Sequence, residues 1–134
     1  DGPWVHTRIG RERLAGSYAF ATLHRAGVAL ALGTDWTGVP LDPLPGIRAA
    51  LTRRHRAGGV FGADEALPLE VVLTAATWTA AWSGFNEAAT GALLPGYRAD
   101  IVVLDRDVRH HGWQDEALPR VVQTRVDGEV VFEV

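Results

Sequence analysis

A chain of 134 residues, 47% of them hydrophobic, can bury a core and is too apolar for a disordered segment. Its formal charge of −3 comes from 16 acidic and 13 basic side chains with no long run of either sign, which leaves no basic stripe for a phosphate backbone and argues against nucleic acid as a partner. The longest apolar stretch, Val28 to Leu32, is far short of the roughly 20 residues of a membrane span, so no membrane partner is expected and cytoplasm is the default compartment.

From Arg11 to Ala26, Leu14, Tyr18 and Ala21, with Ala15, Ala19 and Leu23 beside them, recur at three- and four-residue steps, predicting one amphipathic helix that stops at Gly27. The run Val28-Ala29-Leu30-Ala31-Leu32, bounded by Gly27 and Gly33, reads as a strand buried on both faces of a parallel sheet. Three prolines and a glycine between Trp36 and Pro45 mark a loop. Gly46 to Arg56 then sets Ile47, Ala50 and Leu51 opposite arginines, as an exposed helix would. Leu69 to Trp82, entered through Pro68, is apolar almost all round and predicts a helix buried between layers. After Ser83-Gly84 the pattern changes to a strand, Ala99 to Leu104, and a hairpin of Val121 to Val126 and Val130 to Phe132 around an Asp-Gly turn. The expected division is an α/β part over residues 1–83 and a smaller β part over 84–134.

Zero cysteines exclude disulfides, thiolate metal ligands and cysteine nucleophiles. Catalytic groups of α/β barrels and open parallel sheets gather where strands end, because loops converge there on a cleft above a rigid floor. Asp35 stands at such an end, after Gly33-Thr34. Position alone leaves two readings open, a cap of the following turn and a catalytic carboxylate. Trp36 is open in the same way, to substrate contact or to packing beneath its loop.

Leu30-Ala31-Leu32-Gly33-Thr34-Asp35-Trp36 resembles the eighth barrel strand of the amidohydrolase superfamily, in the branch called amidohydrolase family 3. Arg8-Ile9-Gly10-Arg11-Glu12-Arg13 is similar to that branch's segment before the preceding helix, and Leu41 to Ile47 to the loop entering its last barrel helix. Thr77 to Ala81, followed by Gly91 to Asp105, resembles the stretch where the chain leaves the barrel for a small β-domain.

The resemblance covers nearly the whole chain in the family's order. It implies the C-terminal part of a (β/α)8 TIM-type barrel followed by strands of a small β-sandwich domain. It also implies a metal-dependent hydrolase of amide-like C–N bonds in small molecules, N-substituted formamides being one candidate class. In it, Asp35 is metal ligand, general base or both, and the cofactor is a divalent metal, zinc by expectation. A carboxylate suits that place, because a metal brings the pKa of bound water towards about 7 and a nearby base can take its proton.

A whole barrel typically needs about 250 residues, so the chain, which opens Asp1-Gly2-Pro3-Trp4 without methionine, is expected to be the last quarter of a longer enzyme. The family's His-x-His pair would lie upstream, and Asp35 alone cannot hold zinc tightly. The alternative is a noncatalytic fragment or binding module that needs an upstream half or another subunit. His6, His24 and His55 read as surface or packing residues, and His110-His111 as a solvated turn. Trp78 and Trp82 read as core packing, Arg11 and Arg13 as solvated charges, and Asp100 as a turn or strand-pairing residue.

Overall fold

The computed structural model describes residues 2–55, 58–110, 113–114 and 117–134. Its α-helices are α1 (Gly2–Ile9), α2 (Phe20–Arg25), α3 (Leu44–Thr52), α4 (Leu69–Ala76) and α5 (Trp78–Ser83), with 3-10 turns at Arg11–Gly16 and Ala63–Glu65. Strands β1 (Ile101–Leu104), β2 (Val121–Val126) and β3 (Glu129–Glu133) form one antiparallel sheet in the order β1-β2-β3.

The sheet follows the turn chemistry. Asp127 and Gly128, at φ 50° and 86°, make a two-residue hairpin turn with both positions left-handed, the type I′ geometry that matches strand twist. Val126 pairs with Glu129 across it, and Ile101 with Arg125 on the other side of β2. The Asp127 N–H donates to the Asp100 carboxylate at 2.9 Å, so Asp100 ties the start of β1 to the hairpin turn. Every residue of β3 is exposed.

All three expected helices depart from the periodicity, and α1 forms where no helix is expected. The expected helix over Arg11–Ala26 is a 3-10 turn followed by α2, separated at Tyr18, whose φ is 52°. Gly16 weakens the helix there, and Tyr18 turns its ring edge-on to Phe20 and Phe61, a tertiary contact that outweighs local propensity.

α3 begins earlier than expected, with the Leu44 N–H bonded to the Asp42 carboxylate at 3.0 Å, and stops at Arg53, which is left-handed at φ 57°. Arg53 is not on an exposed face. It is 9% exposed, its Nε donates to the Phe61 carbonyl at 3.0 Å, and its guanidinium lies over the Phe20 and Phe61 rings. Desolvation lowers its pKa, and the nearby Glu65 carboxylate opposes that shift.

The long apolar helix is likewise two, α4 and α5, broken at Thr77 (φ −125°, ψ −85°). A residue further along the chain packs against this break. A Cβ on Gly91 would meet Ala81 Cβ at 2.8 Å, the Thr77 carbonyl at 2.9 Å and Trp78 Cα at 3.0 Å. Residue 91 thus crosses the break with room for a hydrogen only, at φ 87°. α4 is buried as expected, with Val72 fully enclosed and Ala75 at 2%, but on α5 Trp78 and Trp82 are 39% and 52% exposed. Trp78 stacks on Tyr97.

Val28 to Leu32 is not a strand of the sheet. A strand exists by lateral pairing, and among the described residues none pairs with this run. Its amide bonds run to helices instead, from Val28 N–H to the Leu23 carbonyl and from Leu32 N–H to the Ala75 carbonyl at 2.9 Å. Burial on both faces is replaced by one packed face. Leu30 and Leu32 lie against the core of Ala21, Leu44, Ile47, Ala50, Leu67, Val72 and Trp113, while Val28, Ala29 and Ala31 are exposed. The same core receives Leu104 and Val121 from the sheet. Enclosing a valine such as Val72 contributes about 1.5–3 kcal/mol.

Candidate active site

The two packed leucines fix the direction in which the chain reaches Asp35. Leu32 is pinned to α4 by its hydrogen bond, and three residues later the backbone turns sharply, with Asp35 at φ 59°. Aspartate is among the few side chains that adopt this left-handed conformation readily. The Asp35 carbonyl accepts from the Gly38 N–H at 2.8 Å and the Val39 N–H at 3.4 Å, while the Thr34 hydroxyl accepts from the Trp36 N–H at 3.4 Å. The loop is folded back on the aspartate. A Cβ at Gly38 would lie 3.2 Å from the Asp35 carbonyl oxygen and 3.3 Å from Oδ2. Asp35 is exposed and Trp36 is 65% exposed, so neither is consumed by packing.

Three other carboxylates do structural work. Asp105 is held well below the usual carboxylate range, first by the Arg106 side chain and then by the Arg120 backbone N–H. Asp107 is held low by the Arg109 side chain and backbone N–H. Glu65 is lowered by the Thr22 hydroxyl and amide, which fasten it to α2. All three are engaged with neighbours already.

The described residues do not make a metal site. Among the described residues no group of three or more histidine, cysteine, aspartate or glutamate side chains could hold an ion, and zinc ordinarily takes three or four protein ligands. The structure brings no histidine to Asp35 in such a group. His6 lies edge-on to Phe61, and His55 falls beyond the end of α3, with Nδ1 buried and unbonded among the described residues. His110 is exposed, and His111 lies outside the described residues.

A cavity of about 430 Å³ opens at the entering half of the run, between Val28, Ala29, Leu30 and the side chains of His24, Glu70 and Thr74. Asp35 does not line it, so this space and the carboxylate are separate features.

Two residues of this architecture escape a reading by residue type. Gly38 carries no reactive group, and its cue in the sequence is only a glycine three positions after the aspartate. Arg53 gives no cue, because an arginine after an amphipathic helix ordinarily faces water.

A family model described as "Amidohydrolase family" matches residues 1–132. The chain is 31% identical to "Putative amidohydrolase YtcJ" of Bacillus subtilis over 136 residues, covering 99% of this chain and 26% of that protein. It is 30% identical to "Protein LONG AFTER FAR-RED 3" of Arabidopsis thaliana over 137 residues, covering 98% of this chain and 23% of that one. The crystal structure of an amidohydrolase from Thermotoga maritima superposes with a TM-score of 0.62 at 25% identity, over 87% of this chain and 26% of that one. The chain belongs to the amidohydrolase family, in the family 3 branch. It spans about a quarter of the length of the relatives it matches.

Proposed function

We propose that the protein carrying this stretch hydrolyses amide-like C–N bonds in small molecules, and that Asp35 is a carboxylate of its active site, with Trp36 beside the substrate. The observation that supports this most is the placement of Asp35. It is an exposed carboxylate in a left-handed turn, at the end of an apolar run whose leucines are fixed to the core. Such a group can accept the proton of an attacking water while its backbone stays still.

In this reading residues 1–83 are the last units of a (β/α)8 barrel and 84–134 belong to a small β-domain. A divalent metal, zinc by the family resemblance, would draw its remaining ligands from outside the described residues. Asp35→Asn in the complete polypeptide should lower turnover of an amide substrate at least roughly 100-fold, measured as amine release. Near-parent turnover would sink the role.

For the isolated 134-residue chain a second reading is favoured by the run at Val28–Leu32, which pairs with no strand among the described residues. Here the chain is a noncatalytic unit completed by a strand from elsewhere. Tightly bound stoichiometric zinc in the isolated chain would contradict it.

A further inference from the structure

We infer that Gly38 is a positioning residue for Asp35: by carrying no side chain, it leaves the carboxylate the place from which it serves the reaction. The inference deepens the reading of Asp35 as an active-site carboxylate and rests on it.

The turn brings two oxygens of Asp35 to the same point. A Cβ at Gly38 would lie 3.2 Å from the Asp35 carbonyl oxygen, 3.3 Å from Oδ2 and 3.8 Å from Cγ. The first two separations are shorter than ordinary van der Waals contact, so one of the oxygens would have to give way. The carbonyl oxygen is the one that is held, since it accepts from the Gly38 N–H at 2.8 Å and the Val39 N–H at 3.4 Å and these bonds close the turn. The carboxylate is exposed and rotates about its side-chain bonds. A methyl group at residue 38 is therefore relieved by displacing the carboxylate, and the backbone stays where it is.

The demand for glycine is one of space and not of backbone conformation. Gly38 does not have a positive φ, so alanine fits its backbone. Gly33 and Gly46, on either side of the turn, would place a Cβ where no atom of the described residues lies within 4 Å. Of these three glycines, only Gly38 approaches the carboxylate. Proton transfer to a carboxylate works over a heavy-atom separation of about 2.6–3.2 Å, so a displacement of a few tenths of an ångström is enough to slow it.

The test uses the complete polypeptide, with N-benzylformamide as the probe amide, amine release as the assay and crystal structures of the variants beside it. Gly38→Ala should lower kcat about three- to tenfold with KM within about twofold of the parent, and the bulkier Gly38→Val should lower kcat further. Gly38→Ala, the milder change, carries the test if Gly38→Val does not fold. Gly46→Ala is the control and should keep turnover within about twofold. On an Asp35→Asn background Gly38→Ala should have less than about twofold further effect, because the group it acts through is gone. In the crystal of a Gly38 variant, Oδ2 of Asp35 should be displaced by roughly 0.5 Å or held in another rotamer with the turn kept, a readout that decides the matter even where the probe is not turned over. Parent-like kcat in the Gly38 variants, an unmoved carboxylate, or an equal loss on both backgrounds overturns the assignment. Lost turnover in Asp35→Asn beside parent-like Gly38 variants removes the role of Gly38 alone, whereas near-parent turnover in Asp35→Asn removes the catalytic reading and this one with it.

Discussion

The three-stranded sheet and the run that ends at Asp35 are both short apolar stretches bounded by turn residues, yet only the first forms a ladder. β2 and β3 are joined by two residues, Asp127 and Gly128, whose left-handed conformations set the register, and β1 is tied to the same turn by the Asp100 carboxylate. Everything that pairing needs is close in sequence. Val28 to Leu32 has no such neighbour among the described residues, and it keeps its place through two leucines on the core and one amide bond to α4. A hairpin carries its own partner, whereas a strand of a parallel sheet takes its partners from distant sequence.

If the run is held by the core beneath it rather than by a sheet, the largest effect comes from spoiling that floor. Val72→Asp places a charge where exposure is zero, and we expect loss of more than about 3 kcal/mol in chemical denaturation, with the packing of Leu30 and Leu32 lost. Gly91→Ala should follow at about 2 kcal/mol or more, because its methyl group would enter the Thr77 break and φ is positive. Asp100→Ala acts on the sheet alone and should cost about 1 kcal/mol, one hydrogen bond at the hairpin, with α4 and the Asp35 turn unchanged by amide chemical shifts.

The smallest effect is a pH dependence. The folded-state pKa of Asp105 is depressed, mainly by Arg106 and then Arg120, so the clamp's contribution is fully present above the unfolded value near 4 and is lost as pH falls through the folded one. Asp105→Asn should flatten that part of a Tm-against-pH curve. An unchanged curve would assign the acid sensitivity elsewhere, with Asp107 and Glu65 as the other lowered carboxylates among the described residues.

How far each region was legible in the sequence follows from the same contrast. The hairpin could be read from Asp127-Gly128 and its β-branched flanks, and the left-handed stop at Gly27 from the glycine itself. The family could be read from four ordered segments. What could not be read were contacts between distant residues. Residue 91 packs against the break at Thr77, Tyr18 meets Phe61 where the expected Arg11–Ala26 helix is interrupted, and Arg53 is buried on two aromatic rings and one carbonyl. The left-handed conformation of Asp35 and the fit of Gly38 against its carboxylate leave no periodic trace in the sequence.

Two aspartates, one in each region, offer the most direct measurement. Asp35 is exposed at the end of the unpaired run, and Asp105 is clamped beside the sheet. Asp35→Asn and Asp105→Asn should be compared in the complete polypeptide for amide turnover and thermal stability. We expect a turnover loss of at least roughly 100-fold for Asp35→Asn, with Tm shifted by no more than about 2 °C. For Asp105→Asn we expect turnover within about twofold of the parent and an altered acid limb of stability. Near-parent turnover in Asp35→Asn, with the loss appearing in Asp105→Asn instead, would contradict the assignment of Asp35.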